Sequence, residues 1–499
     1  MSDQPRAFPG RPSLRFLKIE AKRRLAAGEF GTLHDAQLAI AREHGLPSWA
    51  TLKESVSAPG HALTQVRWVL ARFAGATEPG WAAPDEAELG AHFDEHFLGL
   101  VRPAALTRTL TQVAGQLAAE LTITRQTPLS VRGRLDGLGV EAAAEAAAPH
   151  RLTTLRMYPL GERVSDPRAA APPSHPSGDV PAAATAVAAE SVAELGLPGL
   201  VLAGAWLAGP GGQQPWTIAQ GRADVDRGEA LHGSHRFPVY SVTKLITATA
   251  VLRLAAEGRL SLDDPASRHL RTIRLADATV TVRELLSHTG GVASPDELFA
   301  ATVPALAEVT GPVLACPGPR GTFRYSNGGY AALGQLISDI AERQYPEAAA
   351  ALVLRPLGMI SSSFPGRWPG RDAVTGYQLA GDGWFEPVDP RVCVIPAAGG
   401  LWSTAADLVR FGQGWAGLLP GELAREALRP QADRDPDGAQ MGLGWLLHQP
   451  KDLCGHAGGG PGAASSLLGR LSDGRISVAL ANRLVPIEPV NARLVRPVG

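Results

Sequence analysis

A serine stands at the start of an apolar helix, and a lysine follows one helical turn later. The stretch Phe237-Pro-Val-Tyr-Ser-Val-Thr-Lys244 runs directly into a helix predicted over residues 245–257, which Gly258 ends. At a helix start the Ser241 hydroxyl is free of the helical ladder and near the positive end of the dipole. Lys244 shares that helix face, so its amine can take the proton that a serine must lose to become a nucleophile. An N-cap serine followed by a solvated lysine has the same Ser-x-x-Lys pattern, so the rest of the chain has to decide.

Length and composition exclude several classes of protein. The 499 residues suggest two or three domains, and 45% hydrophobic with 19% charged residues allows a packed core. A formal net charge of -1 gives no reason to expect nucleic acid or an anionic membrane as partner. No export signal and no stretch of membrane-spanning length is visible, so we expect a cytoplasmic protein. The 3 cysteines lack the spacing of a metal site and are expected to be reduced thiols: Cys316, Cys393 and Cys454.

Three regions precede the serine-containing domain. Residues 1–58 predict a helical segment, because apolar residues recur at helical spacing between glycine stops. Residues 62–160 predict helices followed by strands, the order of a small α+β domain. On that predicted helical part, His92 and His96 would permit a metal pair, but no third ligand is spaced nearby, which favours solvated or core histidines. Residues 161–186 are rich in proline and alanine and predict a semi-extended linker.

Residues 187–499 mix helices with a strand-rich end. A helix is predicted over 187–195 and a strand over 199–207, and further strands are predicted over 442–448, 453–458, 465–471 and 476–482. Helices fall between these two groups of strands, as at residues 280–290, 323–340 and 403–411. The pattern predicts an α+β fold with helices inserted between two parts of a largely antiparallel sheet.

Three short motifs follow one another in this region. They are Ser241-Val-Thr-Lys244, Tyr325-Ser-Asn327 and His456-Ala-Gly458. In this order they resemble the serine β-lactamase and penicillin-binding-protein-like superfamily, in its class C β-lactamase and esterase branch. The resemblance covers about residues 187–485 and extends to segments 285–292, 325–330, 356–359 and 400–407. It implies a β-lactamase-like domain, with an antiparallel sheet flanked by helices plus an all-helical subdomain. Residues 62–160 are similar, in order and size, to the steroid-isomerase-like (NTF2-like) domain of a two-domain clavulanate-pathway protein.

The resemblance implies a role for each catalytic candidate. Ser241 attacks an acyl carbonyl and forms a covalent ester, while Lys244 accepts or relays its proton. Tyr325 shares that proton transfer and can pass the proton to the leaving group. Asn327 holds Lys244 and a substrate amide in place. This chemistry needs neither metal nor cofactor.

The third motif implies where the substrate lies. The backbone N–H groups of Ser241 and Gly459 would form the oxyanion hole, and Gly458 would let the substrate lie against bare strand backbone. His456 replaces the lysine of the lactamase motif, and a histidine is mostly neutral at pH 7, which favours neutral esters or amides over penicillins. His288-Thr-Gly290 has letters closer to that motif but lies at a helix C-terminus between the first two motifs. We interpret His288 as a structural cap.

The leading hypothesis is therefore a serine hydrolase that acts through an acyl-enzyme, most simply a β-lactamase-like esterase. Its partner would be a small-molecule ester, amide or lactam, and its oligomeric state is not predicted. The alternatives are a β-lactamase or D-amino-acid peptidase, an acyl transferase of natural-product biosynthesis, and a non-catalytic ligand sensor. The missing export signal argues against the first alternative, because those substrates lie outside the cytoplasm.

Overall fold

The computed structural model describes residues 20–25, 27–43, 49, 61–76, 78–101, 103–127, 129–135, 138–145, 148–159, 164–169, 173–205, 215–380, 383–434 and 438–495. The chain divides into two units, residues 1–160 and 161–499. Among the described residues, no helix has both the length and the apolar character that crossing a bilayer would require.

The first unit consists of helices followed by a four-stranded antiparallel sheet. Beyond a helical stretch at residues 20–25, its helices are Leu33–Glu43, His61–Ala74, Glu86–His92, Glu95–Leu100, Pro103–Gln112 and Ala114–Leu117. Its strands, paired in sequence order, are β1 (Thr122–Gln126), β2 (Ser130–Leu135), β3 (Leu138–Ala144) and β4 (Leu152–Pro159). The sequence also predicts a short helix that Pro47 opens and that continues to residue 56, and it lies almost wholly outside the described residues. The likeness of this unit to a steroid-isomerase-like domain stays a prediction.

One predicted helix of this unit is two helices, and one strand was not predicted. The apolar pattern of residues 85–97 predicts one helix, but that helix is interrupted because Asp85 and Asp94 each cap a new helix, accepting the backbone N–H of Glu88 and of Phe97. β3 escaped prediction because five of its seven residues are alanine, glycine or glutamate, which have low strand propensity.

His92 has a packing role in this unit. Its ring stacks on Trp68 with centroids 3.6 Å apart, and its Nδ1 lies 2.7 Å from Gln65 Oε1. The side chain of His96 lies outside the described residues. Within the described part of the chain, no group of three or more His, Cys, Asp or Glu side chains could hold a metal ion. The contacts of His92 agree with a packing role, and the interpretation of His96 stays a prediction.

The second unit is built on a ten-stranded sheet. The strands of this unit, in chain order, are β5 (Ser174–Ser177), β6 (Gly199–Ala205), β7 (Trp216–Asp224), β8 (Glu229–Ala230), β9 (Phe237–Pro238), β10 (Arg274–Leu275), β11 (Phe299–Ala300), β12 (Val313–Leu314), β13 (Tyr377–Leu379), β14 (Phe385–Pro387), β15 (Val392–Cys393), β16 (Trp402–Ser403), β17 (Ala432–Asp433), β18 (Gln440–Met441), β19 (Leu446–His448), β20 (Leu453–Gly460), β21 (Ala463–Arg470) and β22 (Ile476–Ala481). The sheet runs β17-β18-β19-β20-β21-β22-β6-β7-β5, with β8 beside β7. Every pair within it is antiparallel.

Helices cover both faces of this sheet. The α-helices are Ala182–Glu194, Thr243–Ala256, Val282–Leu286, Leu306–Thr310, Asn327–Ala341, Tyr345–Ala349, Pro396–Gly399, Ala405–Gly414, Gly421–Ala427 and Glu488–Val495. The side chains of β22 alternate between two cores: Val478 and Leu480 join the core that contains helix Thr243–Ala256, and Ala479 joins the core of the first and last helices. Burial on both faces explains why this strand is apolar in sequence at every position except Ser477. The predicted α+β, β-lactamase-like fold is confirmed for this unit.

The predicted linker is largely ordered secondary structure. Within residues 161–186, β5 pairs with β7 at the sheet edge, and the helix Ala182–Glu194 begins after Pro181. Proline misled the prediction: an edge strand tolerates Pro176, which cannot donate a ladder hydrogen bond, and Pro181 occupies the helix N-cap. The buried carboxylate of Asp166 accepts the backbone N–H of Phe385 at 3.2 Å and Arg168 pairs with Asp226, which also fixes this region to its unit.

Candidate active site

Ser241 lies on a strained turn at the head of the long helix. The turn Tyr240–Val242 is 3-10 helical and leads directly into the α-helix Thr243–Ala256. Tyr240 has a φ of 44°, a left-handed conformation that is uncommon for a bulky residue. Its hydroxyl donates to the carbonyl oxygen of Pro461 at 2.7 Å, just beyond β20. The backbone that presents Ser241 is therefore tied to the strand that carries the third motif.

Lys244 is fully buried, and its ammonium group has three acceptors. Its Nζ donates to Ser241 Oγ at 3.0 Å, to Asn327 Oδ1 at 2.8 Å and to the carbonyl oxygen of Ala398 at 2.8 Å. In the described part of the chain, Lys244 has no carboxylate partner. The carbonyl of Ala398 was not predicted, because a backbone acceptor leaves no mark in the sequence. Neutral dipoles thus hold the lysine against the serine hydroxyl.

The second motif also reaches Ser241. The Tyr325 hydroxyl donates to Ser241 Oγ at 2.8 Å, and Lys244 Nζ lies 4.8 Å from the Tyr325 ring centroid. Ser326 caps the helix Asn327–Ala341 by accepting the N–H of Gly329. That cap places Asn327 at the first helical position, from which its side chain reaches Lys244.

The glycines of the third motif let β20 pass against the nucleophile. A Cβ built on Gly458 would lie 2.7 Å from Ser241 N and 2.4 Å from the carbonyl oxygen of Val239. Ser465, opposite Gly458 on β21, donates its hydroxyl to that same Val239 oxygen at 2.7 Å. A Cβ on Gly459 would meet only the tip of Leu484, at 2.7 Å. The strand is therefore close enough to Ser241 for backbone groups of both to face one bound carbonyl.

The first two motifs thus meet at Ser241 Oγ, and the third lies against the backbone of the same serine. An amine and a phenol both lie within hydrogen-bond reach of it, and either could accept the serine proton in its unprotonated form. All seven residues singled out from the sequence belong to this one region: Ser241, Lys244, Tyr325, Asn327, His456, Gly458 and Gly459.

Comparison with known proteins agrees with this arrangement. A family model described as Beta-lactamase matches residues 162–498. The chain belongs to the beta-lactamase family. The match begins inside the segment predicted as a linker, in keeping with the order that the structure gives to that segment.

Individual proteins of known sequence or structure resemble this beta-lactamase-family chain at modest sequence identity. Protein flp of Staphylococcus aureus (strain N315) is 30% identical over 173 residues, which cover 32% of this chain and 34% of that protein. The chain thus matches about a third of the length of this curated relative. The structure of SurE is 29% identical with a TM-score of 0.52, over 63% of this chain and 75% of SurE. The D-amino acid amidase of Ochrobactrum anthropi SV3, complexed with D-phenylalanine, is 25% identical with a TM-score of 0.53, over 62% and 97%.

His456 lies behind the site as a neutral ring. Its Nδ1 lies 2.7 Å from the carbonyl oxygen of Ala457, which can only accept, so Nδ1 carries the proton. Burial, followed by the positive charge of Lys244, lowers the pKa of His456 to about 3. Its Nε2 is buried without a hydrogen-bond partner among the described residues. A neutral imidazole with a free lone pair offers no cation to a substrate carboxylate.

His288 also belongs to the site region, which the sequence interpretation missed. It follows the helix Val282–Leu286, as a cap would, but its ring packs 4.4 Å from the ring of Tyr325. Burial, followed by the charge of Lys244, lowers the pKa of His288 well below its ordinary value. The sequence His288-Thr-Gly290 resembles the third motif of the family, and this similarity could have pointed to the site. Its position between the first two motifs along the chain argued against it.

Proposed function

We propose that this chain is a serine hydrolase that cleaves ester or amide bonds through a covalent acyl-enzyme. The observation that carries the proposal is that Ser241 Oγ accepts hydrogen bonds from both Lys244 Nζ and the Tyr325 hydroxyl, at 3.0 and 2.8 Å. A serine hydroxyl needs a base within this reach to become nucleophilic. A packing serine would not need a buried ammonium and a phenol on the same oxygen.

The reaction follows from these contacts. Ser241 Oγ attacks the acyl carbonyl and gives its proton to whichever of Lys244 and Tyr325 is unprotonated in the reactive state, and the carbonyl oxygen takes the negative charge. The backbone N–H groups of Ser241 and Gly459 receive that oxygen. The same pair then gives the proton to the leaving alcohol or amine, and the bond from the acyl carbon to the leaving group breaks. Water repeats the sequence in the second half-reaction and releases the acid.

A neutral substrate fits the third motif best. The ring of His456 is uncharged at neutral pH and its free nitrogen is an acceptor, so a carboxylate there would face a lone pair. This favours an esterase, with little action on penicillins, whose carboxylate needs a cation. Among the described residues, the ammonium of Lys244 is already occupied by three acceptors.

A second candidate is an enzyme that hydrolyses or transfers D-amino acyl groups. The similar D-amino acid amidase has been crystallised with D-phenylalanine and SurE with D-leucine. Transfer would differ from hydrolysis only in the second half-reaction, where an amine replaces water. Because the acyl-enzyme is common to both candidates, one set of substrates can separate them.

The experiment uses the purified full-length chain with four probes: a p-nitrophenyl ester, nitrocefin, D-phenylalanine amide and a fluorophosphonate. The proposal expects turnover of the ester or the amide, and a covalent mass increase that Ser241→Ala abolishes. Ser338→Ala is the matched control, because its hydroxyl bonds only to the Gly334 carbonyl within its own helix. Nitrocefin turnover without ester or amide turnover would favour a β-lactamase. An unlabelled, inactive wild-type chain would refute the hydrolase and leave a ligand sensor.

A further inference from the structure

His288 has an unusual backbone conformation for its residue type. Its φ is 59°, one of five non-glycine left-handed residues among those described. Asparagine and glycine adopt this region with less strain than histidine. The position directly follows the C-cap Ser287 of the helix Val282–Leu286, where glycine is common. If this residue served only to end the helix, glycine or asparagine would do so with less backbone strain than histidine.

Both the backbone and the ring of His288 hold the residues on either side of Tyr325. The carbonyl oxygen of His288 accepts the N–H of Arg324 at 2.7 Å. Its ring Nδ1 accepts the N–H of Ser326 at 3.0 Å. The ring also packs against the Tyr325 ring, at 4.4 Å and an interplanar angle of 32°. Three contacts from one residue thus fix the chain just before, at and just after the phenol.

The hydrogen bond to Ser326 also fixes the tautomer of His288. Because Nδ1 accepts, the proton of the neutral ring is on Nε2. That N–H is buried with no acceptor among the described residues. A buried donor without a partner is costly, and a side chain lacking it would be more stable here. The site keeps an imidazole although it combines a strained backbone with an orphaned donor.

We infer that His288 is a positioning residue, which holds the Tyr325 hydroxyl at hydrogen-bond distance from Ser241. The inference rests on the proposed function for its catalytic consequence. Tyr325 has no further side-chain hydrogen bond to set its angle in the described structure, apart from the one to Ser241 itself. Loss of the His288 contacts would leave that angle to the loop alone.

A neutral ring suits this task. The groups that face it are the Lys244 ammonium, the His456 ring and the Tyr325 and Tyr330 rings, with the charge of Arg434 acting from further away. A second cation beside Lys244 would repel it and would also lose the lone pair that accepts the Ser326 N–H. The burial and charges that keep His288 unprotonated therefore preserve the contact.

The test compares His288→Asn with His288→Gly. Both residues tolerate a left-handed φ, so both variants should fold, but only asparagine can accept the Ser326 N–H. For the ester or amide that the wild type cleaves, we expect His288→Gly to lower kcat about 10- to 100-fold, with KM within about twofold. We expect His288→Asn to recover to within about fivefold of the wild type. Ser287→Ala, a buried neighbour whose hydroxyl contacts Arg283 and Thr289 instead, should keep kcat within about twofold.

Two results would overturn the inference: a folded His288→Gly variant with kcat unchanged, or a His288→Asn variant no better than His288→Gly. A crystal structure of His288→Gly gives a readout that does not depend on activity. The distance from Tyr325 Oη to Ser241 Oγ should exceed about 3.5 Å there, beyond hydrogen-bond range. If the wild type forms no acyl-enzyme, the proposed function fails while this distance still tests the positioning role. An unchanged distance counts against His288 whatever the activity.

Discussion

Gly458→Ala tests how β20, the strand that carries the third motif, supports the nucleophile Ser241. The substitution adds one methyl group to a strand whose sequence pattern otherwise tolerates alanine. In the structure that methyl would lie 2.4 Å from the carbonyl oxygen of Val239, 2.7 Å from Ser241 N and 2.8 Å from Ser465 Oγ. Two of these three atoms are backbone, so no side-chain rotation can make room. The strand must therefore move away from the turn that holds Ser241.

The size of that movement sets the expected loss. Ordinary Cβ contacts begin at 3.4 Å, so the gap to the Val239 oxygen must open by about 1 Å. A 1 Å misplacement of catalytic groups costs about 10²-fold in rate, or about 2.7 kcal/mol of transition-state stabilisation. The loss should fall on acylation, because the oxyanion donors on Ser241 and on β20 separate. Overpacking should also lower the free energy of unfolding by about 1–3 kcal/mol.

The assay measures the single-turnover rate of acyl-enzyme formation by intact mass, with thermal unfolding beside it. Gly459→Ala is the graded comparison: its methyl meets only the flexible tip of Leu484, so its loss should be about tenfold smaller. Gly417→Ala, with no atom within 4 Å of its methyl, should match the wild type. If Gly458→Ala acylates as fast as Gly459→Ala while folded, the strand does not support the nucleophile as described.

Three further predictions concern the groups around Ser241. Lys244→Met should slow acylation, measured by intact mass, at least about 10³-fold, and a modest rate loss would exclude the lysine as base. Because the substitution replaces a buried cation by an apolar chain, the free energy of unfolding in urea titrations should change by less than about 2 kcal/mol. Tyr325→Phe should lower kcat about 10²-fold or more, and an unchanged kcat would assign proton transfer to Lys244 alone. Below about pH 6.5 the two histidines His456 and His288 become protonated in the unfolded chain. In the native state both stay neutral to lower pH, because burial and the charge of Lys244 lower their pKa values, that of His456 to about 3. The free energy of unfolding should therefore fall as the pH drops below about 6.5, by up to about 1.4 kcal/mol per pH unit for each histidine. His456→Asn should make this pH dependence shallower, and an identical pH dependence would contradict the buried neutral state of His456.

Within the candidate site, the sequence predicted some relations between residues more directly than others. Ser241 and Lys244 could be paired because their relation is local: one helical turn separates them, and periodicity is readable in any chain. Tyr325 and His456 could be added only through the resemblance to a family, since no spacing rule brings residues 84 or 215 positions away from Ser241 into one region. Distances of that kind are set by the sheet register, which depends on pairing between distant segments.

The errors have equally physical causes. Prolines in residues 161–186 suggested a linker, yet an edge strand and a helix start both accept proline without losing a hydrogen bond. His288 was interpreted as a cap because its helix does end there. The tertiary contact of its ring with Ser326 left no sign in the local pattern. The carbonyl of Ala398 could not have been found, because every residue has one.

Several features of the site lower the stability of the fold and would be avoided in a core with a purely structural role. Lys244 is buried without a carboxylate, Tyr240 and His288 have left-handed backbones, and two imidazole nitrogens lack partners among the described residues. A carboxylate beside Lys244 would relieve its burial but would also compete with Ser241 Oγ for the amine protons. Protonated histidines would be easier to hydrate but would repel the lysine. The absence of a carboxylate and the neutral histidines therefore leave the Lys244 ammonium as the positive charge at Ser241 Oγ, with neutral groups around it among the described residues. A site built in this way should bind substrates through shape and backbone hydrogen bonds, and should discriminate against those that need a second cation.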